Sequence, residues 1–315
     1  MRLADLHVDT LNRSLERGWD LFAGSSDAHV DVPRIRAAGI GFLGMSLFTD
    51  PGPDAPGRCR RQLALARTLT TRAPDEFHLL QTLRDVASVE ENGRVGLLLT
   101  VEGAHGVEDS LEIMDEFFQA GVRGLTLTWN NSNGLAGSSL DPSGRGLTAL
   151  GRSFVSFFEE RGGIIDLSHV STSTFWDVME RAADRVWVTH AGCEALADHP
   201  RNLTDEQIRA LGEAGSVLGI AVYPDFLDPG DPGAVTLETV ADHVEHAARV
   251  AGAGAVAIGS DFDGISRLPR GMAGVQDLPR LLETLERRGW SGEMLEKLAW
   301  SNGLRVVKRL LPDAA

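Results

Sequence analysis

Eight short apolar runs alternate with helical patterns along this chain of 315 residues, and that alternation constrains the fold more than any other feature. Such an alternation predicts parallel strands joined by helical crossovers. Eight units of this kind can close a (β/α)8 TIM barrel, which typically occupies about 250 residues or more. The predicted strands are Leu3–Val8, Gly41–Phe48, Val95–Val101, Gly124–Thr128, Ile164–Leu167, Val186–Thr189, Ser216–Val222 and Val256–Gly259.

The pattern runs without a low-complexity linker or a repeat of solenoid period. Residues 1–315 are therefore predicted to form a single α/β domain. Only helical segments are expected between Gly57 and Asn92. Before the seventh strand, Thr204 is predicted to cap a helix that has Gln207 at its third position, which is the spacing of a capping box.

The charge and the basic residues exclude several functions. The net charge is −15 and the pI is about 5.0, which argues against nucleic-acid binding because that requires a basic face. Of the 30 basic residues, only Lys297 and Lys308 are lysines. The predicted barrel strands therefore offer no lysine for a P-loop, a Schiff base or a carbamate between two metals. A ligand that bridges two metals would have to be Asp or Glu.

Cysteine content and hydropathy suggest the cellular setting. Cys59 and Cys193 provide no disulfide framework and no Cys-x-x-Cys site, so we expect buried, reduced thiols. The N-terminus has no basic-then-apolar leader, and no apolar run approaches the roughly 18 residues of a membrane span. We therefore expect a cytoplasmic protein with no membrane partner.

Five of the eight predicted strands end in His, Asp or Glu, where a buried run should place apolar side chains. The carboxyl ends of barrel strands are where such enzymes carry their catalytic residues. Histidine with carboxylate is a ligand set for zinc or a similar divalent metal. The residues are His7, Asp9, Glu102, His169, His190 and Asp261. They predict a barrel hydrolase with two metals.

Several of these residues also fit a structural role. His7 and Asp9 are two positions apart and share one face of a strand, yet such a pair also arises by chance. We favour Asp261 over Asp263 for chemistry, because Asp263 precedes a glycine and fits a turn or cap. Arg201 fits either a clamp for a substrate carboxylate or a surface salt bridge.

The remaining histidines suggest no chemistry of their own. His243 and His246 belong to an amphipathic helix predicted over Leu237–Ala251, and we expect them on its solvated face. His105, four residues after the third apolar run, fits either support of a metal ligand or simple solvation.

Seven segments, in order along nearly the whole chain, resemble the membrane (renal) dipeptidase family, the M19 peptidases of the amidohydrolase superfamily. They are DLHVDTL at 5–11, VEGAHGVED at 101–109, LTLT at 125–128, IDLSHVS at 165–171, THAG at 189–192, HPRNLTDE at 199–206 and IGSDFDG at 258–264. Each segment alone is weakly specific, whereas the ordered set is highly specific.

The resemblance implies a distorted, amidohydrolase-like (β/α)8 barrel with a binuclear zinc site. By this analogy His7 and Asp9 bind one Zn²⁺, Glu102 bridges both ions, and His169 and His190 bind the other. The implied reaction is hydrolysis of the peptide bond of a small dipeptide by a hydroxide that bridges the two metals.

The resemblance also implies how a substrate is held. Arg201 matches the arginine that binds the free C-terminal carboxylate of the dipeptide, and Asp261 matches the acid–base residue. Tyr223, after the seventh strand, would line the pocket.

One position departs from the family pattern. Where many members have a histidine that contacts the scissile carbonyl, this chain has Trp129, followed by Asn130. An indole donates one hydrogen bond and carries no charge. Either Asn130 takes over the contact, or the transition state loses a donor at a typical cost of about 10²–10³ in rate.

This departure leaves two alternatives open. One is the same metal centre acting on another small amide, a lactam or an acyl amino acid. The other is a catalytically impaired homologue that binds a metal or ligand. The sequence also leaves the oligomeric state open, including a homodimer.

Overall fold

Nine strands occur within residues 1–313, the part of the chain that the computed structural model describes. They are β1 (Leu3–Val8), β2 (Ile40–Phe48), β3 (Phe77–Leu79), β4 (Val95–Glu102), β5 (Val122–Thr126), β6 (Ile164–Asp166), β7 (Val186–Ala191), β8 (Leu218–Ile220) and β9 (Val256–Ile258). All of them except β3 match the eight predicted strands in order.

The α-helices of the described residues alternate with these strands. They are α1 (Thr10–Arg17), α2 (Val32–Ala38), α3 (Ala55–Arg72), α4 (Leu83–Asn92), α5 (Leu111–Gln119), α6 (Ala149–Arg161), α7 (Thr172–Ala182), α8 (Asp205–Glu213), α9 (Pro224–Leu227), α10 (Leu237–Ala251), α11 (Leu278–Arg287), α12 (Gly292–Glu296) and α13 (Asn302–Leu310). The predicted cap of α8 is confirmed, because the Thr204 side chain accepts from the Gln207 N–H and the Gln207 side chain reaches back to the Thr204 N–H.

The sheet follows chain order, β1-β2-β4-β5-β6-β7-β8-β9, with β3 paired to β4. The pairings from β3 to β9 are parallel. The chain after β9 returns to β1, since the Asp261 N–H donates to the His7 carbonyl at 3.1 Å and the Asp9 N–H donates to the Phe262 carbonyl at 2.8 Å. This order is that of a (β/α)8 barrel, and the predicted fold class is confirmed.

All the strands except β2 and β3 are buried along their whole length, because their sequences are largely apolar. Every residue of β1 and of β4 is buried. Parallel strands need such runs, since both of their faces are covered. The buried polar side chains within these strands, among them His7 and Glu102, are therefore exceptions that need a physical explanation.

The prediction of helices alone between Gly57 and Asn92 was wrong at β3. Pro74 lies two residues after the end of α3, and the chain then pairs Phe77 with Val95 before it enters α4. A strand of three residues is too short to show a periodic pattern, so the sequence signal there is only the proline that ends the helix.

Contacts divide the chain into two units, which we describe separately. The first unit comprises Met1–Leu43 and Val188–Val306, and the second comprises Gly44–Trp187 and the residues from Val307 onward. The prediction of a single domain over residues 1–315 stays a prediction.

Candidate metal centre and substrate residues

Three buried side chains of the first unit converge after β1 and β9. Ligand atoms of His7, Asp9 and Asp261 all lie within 4.8 Å of one another. A Cβ on Gly264 would lie 2.1 Å from Asp9 Oδ2 and 2.5 Å from Asp261 Oδ1, so both carboxylates crowd this glycine. Neighbouring carboxylates repel unless a proton or cation is shared between them. The imidazole of His7 and the carboxylate of Asp9 are donors that fit a divalent metal, and Asp261 lies beside them.

His190, at the end of β7, lies beside His7 in the same unit. Their ring centroids are 3.9 Å apart. Thr189 Oγ1 is 2.9 Å from His190 Nδ1 and 3.4 Å from His7 Nδ1. One hydroxyl therefore contacts the Nδ1 side of both rings and orients them. Sequence analysis did not single out Thr189, because its only signal is its position directly before His190.

The second unit brings together Glu102, the last residue of β4, and His169, which follows β6. His169 Nε2 is 2.9 Å from Glu102 Oε1, and both side chains are almost fully buried. Ser46 on β2 donates a hydrogen bond to Glu102 Oε2 at 3.0 Å. His169 Nδ1 lies 3.0 Å from Asn130 Oδ1. His169 has a φ of 65°, a left-handed conformation that is uncommon for a non-glycine residue and is often found at functional sites.

Arg201 is buried in the first unit and does not lie on the surface, where its alternative role as a surface salt bridge would place it. Its exposed fraction is 4%, its Nη2 donates to the His190 carbonyl at 3.2 Å, and its guanidinium lies 5.2 Å from the Phe226 ring centroid. Tyr223 packs edge-on against Phe226 at 4.9 Å and is half-buried. Phe226 thus joins two residues of the predicted pocket, although the sequence analysis missed it.

Trp129 and Asn130 follow β5 in the second unit. The Trp129 ring lies 5.0 Å from the Phe48 ring and 6.5 Å from the His169 ring. Both aromatic side chains of the Phe48–Trp129 pair remain partly exposed. The indole at the family's histidine position therefore forms an apolar wall beside a candidate metal ligand.

The expected solvated face for His243 and His246 was wrong, because both are buried. His243 Nδ1 accepts from the Cys193 N–H at 3.0 Å, and its Nε2 donates to the Leu227 carbonyl at 3.1 Å. His105 is half-buried and donates to the Thr49 carbonyl. These contacts give His243 and His105 structural roles.

The turn role considered for Asp263 is confirmed. Its carboxylate accepts from the Thr10 hydroxyl at 2.6 Å and from the His29 N–H at 2.8 Å. Cys59 and Cys193 are free and buried as expected, and burial raises the pKa of each thiol to about 12.

Two buried aspartates that sequence analysis missed hold the turns that contain Asp261 and His169. Asp5 accepts from the Ser260 N–H at 2.8 Å and from the Ser260 hydroxyl at 2.5 Å. Asp166 accepts from the Ser168 N–H at 2.9 Å and from the Ser168 hydroxyl at 2.8 Å. Burial raises the pKa of Asp5 to about 6, while the hydrogen bonds from Ser260 act to lower it. The available signal was a carboxylate inside an apolar strand.

Residues 1–311 match the family model described as membrane dipeptidase, peptidase family M19. The chain belongs to this dipeptidase family. It is 31% identical over 306 residues to an uncharacterised dipeptidase of Schizosaccharomyces pombe, an alignment that covers 91% of this chain and 74% of that protein.

One solved structure supports the same conclusion, and a second shares the fold. A dipeptidase AC, described as a metallopeptidase of family M19, is 27% identical with a TM-score of 0.89 and 99% coverage of both chains. A metallopeptidase of Rhodobacter sphaeroides, liganded with a phosphinate mimic of the dipeptide L-Ala-D-Ala, has a TM-score of 0.90 at 24% identity, with 98% of this chain and 99% of that chain covered.

Membership of the dipeptidase family confirms the predicted enzyme class, a metal-dependent hydrolase that acts on peptide bonds. In the part of the chain that the structure describes, every helix is too short or too polar to cross a membrane.

Proposed function

We propose that this dipeptidase family member hydrolyses small dipeptides with two Zn²⁺ ions. The observation that carries the proposal is the placement of buried imidazoles and carboxylates directly after apolar strands of a family M19 chain. The proposed ligands are those that the family resemblance implies: His7, Asp9, Glu102, His169 and His190. Nitrogen and carboxylate oxygen are ligands that zinc readily takes.

Glu102 is the proposed bridging ligand. No lysine precedes Lys297, so a carbamate is excluded as the bridge. The Ser46 hydroxyl donates to Glu102 Oε2 while Oε1 faces His169. One end of the carboxylate is thereby fixed, and its negative charge is held in a buried place where it is costly without a cation.

The reaction assigns separate tasks to Asp261 and Arg201. When bound, the metal ions polarise the scissile carbonyl and make water acidic enough to attack near neutral pH. Asp261 accepts the proton of the attacking water and returns it to the leaving amine nitrogen. Arg201 holds the substrate carboxylate with its planar guanidinium, whose plane is supported by Phe226. This clamp positions the peptide bond for attack.

The substrate class follows from the same arginine. A buried guanidinium favours a ligand with a carboxylate, which a dipeptide presents at its C-terminus. The phosphinate ligand of the Rhodobacter sphaeroides structure mimics L-Ala-D-Ala, and it motivates testing L,D as well as L,L dipeptides. Tyr223 would line the same pocket beside Phe226.

The test combines metal analysis with turnover. We expect about two zinc ions per chain and hydrolysis of at least one member of an L,L and L,D dipeptide panel. C-terminally amidated versions of the same dipeptides serve as matched substrates, because they remove only the carboxylate that Arg201 would bind. A chain that retains no divalent metal would contradict the metal centre itself.

An Arg201→Ala variant isolates the substrate contact. We expect KM to rise by about 10²-fold or more on free dipeptides and little on amidated ones, because loss of a buried charge-assisted pair typically costs several kcal/mol. Arg267→Ala is the control, since Arg267 is exposed and pairs with Asp225 in the same unit. Equal effects on the two substrate series would remove Arg201 from the carboxylate site.

A second candidate function is favoured by the Phe48–Trp129 pair. The same centre would act on another small amide, a lactam or an acyl amino acid, with the aromatic wall contacting an apolar group. Hydrolysis of acyl amino acids or lactams but of no dipeptide would support it. Two bound metals without turnover on any amide would instead indicate the impaired homologue.

A cytoplasmic location and a homodimer stay predictions from the sequence. Cell fractionation tests the first, and light scattering coupled to gel filtration tests the second.

A further inference from the structure

The His169 ring has an oxygen close to each of its two nitrogens. Asn130 Oδ1 is 3.0 Å from Nδ1, and Glu102 Oε1 is 2.9 Å from Nε2. A neutral imidazole carries one N–H and one lone pair. If Nε2 is to bind a metal, the proton must be on Nδ1, and Asn130 Oδ1 is placed to accept it. The reversed amide would donate to Nδ1 and leave the proton on Nε2.

Asn130 belongs to a polar loop, residues 129–148, that holds the same histidine by its backbone. The Ser139 N–H donates to the His169 carbonyl at 2.8 Å. The Ser138 hydroxyl donates to the Trp129 carbonyl at 2.7 Å and so fixes the residue before Asn130. The loop therefore contacts both the backbone and the side chain of His169.

We propose that Asn130 is a positioning residue that keeps His169 in its Nδ1–H form and directs Nε2 toward the metal. This inference rests on the proposed role of His169 as a ligand. It gives the Asn130 oxygen a task other than the contact with the scissile carbonyl considered from the sequence. Hydrogen-bond partners of metal-binding histidines typically contribute about 10–100-fold to metal affinity.

Three substitutions separate this role from a general effect on the loop. Asn130→Ala removes the acceptor, whereas Asn130→Asp keeps an acceptor that cannot donate. Asn131→Ala is the matched control. Within the described residues, the hydrogen bond found for the Asn131 side chain is the one to the adjacent Ser132 carbonyl. Unfolding midpoints of the metal-free proteins show whether any variant is misfolded.

The measurement is Zn²⁺ affinity by competition with a chromophoric chelator, at several pH values. We expect Asn130→Ala to weaken one zinc site by about 10–100-fold and leave the other unchanged. Asn130→Asp should restore that affinity, and Asn131→Ala should match the parent. Nitrogen NMR of ¹⁵N-histidine-labelled, zinc-loaded protein should show the proton of His169 on Nδ1 in the parent and in Asn130→Asp.

The outcomes also separate this inference from the proposed function. Parent-like zinc affinity in Asn130→Ala overturns it, as does an Asn130→Asp variant that binds no better than Asn130→Ala. If the parent binds zinc but cleaves no dipeptide, the proposed substrate fails while the affinities still decide the role of Asn130. A parent that binds no zinc overturns both.

Discussion

Two turns of the molecule use the same backbone device for different side chains. In the second unit, His169 follows Ser168, and in the first unit, Asp261 follows Ser260. Each functional residue has a φ of 65°, and in each turn the preceding serine donates its N–H and its hydroxyl to a buried aspartate. A left-handed conformation costs about 1–3 kcal/mol for such residues, so both turns depend on these supports.

The two turns differ in where that aspartate comes from. Asp166 lies two residues before Ser168, so the His169 turn carries its own support. Asp5 lies on β1, 255 residues from Ser260 along the chain. The Asp261 turn is therefore complete only when β1 has met β9, and the position of the proposed acid–base residue depends on that long-range pairing. The His169 turn relies instead on the neighbouring loop, residues 129–148.

Substitutions at Asp261 and at His169 should have different consequences for the metal and for turnover. Asp261→Asn should keep the bound metal and lower kcat by about 10³, since general acid–base catalysis typically contributes about 10²–10⁴. His169→Ala should instead lose a metal ion. Metal content and kcat measured on the same preparations distinguish the two results. Parent-like turnover by Asp261→Asn would make the acid–base assignment wrong.

Substitution of Asp5 or Asp166 should weaken the turn that each aspartate supports. Asp5→Ala and Asp166→Ala should each lower the free energy of unfolding by about 3 kcal/mol, because each strips a buried N–H and hydroxyl of their acceptor. Hydrogen exchange should separate them: Asp5→Ala should expose the amides of residues 260–263, and Asp166→Ala those of residues 167–170. Asp5→Asn, of equal size, is the milder control. Exchange that spreads equally over both turns would contradict independent supports.

The difference between these supports also explains what the sequence could predict. The order of strands, and the residues at their ends, follow from apolar periodicity, which is local. The Thr204 cap needed only a spacing of three residues. Predicting the role of Asp5 would have required knowing that it contacts Ser260. Predicting the burial of His243 would have required knowing that it contacts the Cys193 N–H, 50 residues away. Such long-range partners leave no periodic signal, so the candidate ligands were predictable while most of the contacts that orient them were not.

A pH experiment extends the comparison to the two units. Burial lowers the pKa of His243 in the first unit and of His105 in the second. Below a pH of about 6.5, the usual pKa of histidine, the ring is protonated more in the unfolded chain than in the native protein. The free energy of unfolding therefore falls as the pH falls. We expect acidification from pH 7 to 5 to destabilise the parent more than His243→Asn, measured by urea unfolding. His105→Asn should reduce this loss of stability at low pH less than His243→Asn does, because His105 is less buried than His243. Parallel profiles for His243→Asn and the parent would exclude this histidine as the acid-sensitive group.

The smallest expected effect tests the loop that supports the His169 turn. The fully buried Ser138 hydroxyl donates to the Trp129 carbonyl, and Ser138 pairs with Val170 next to His169. Ser138→Ala should lower the free energy of unfolding by about 1 kcal/mol through the lost hydrogen bond. Ser139→Ala is a matched control, since among the described residues the Ser139 hydroxyl has no hydrogen-bond partner. Urea titration of the two variants measures the difference. Because Asp166 supports the same turn independently, Ser138→Ala should leave the amide of Ser168 protected; loss of that protection would show that the His169 turn depends on the loop as strongly as the Asp261 turn depends on β1.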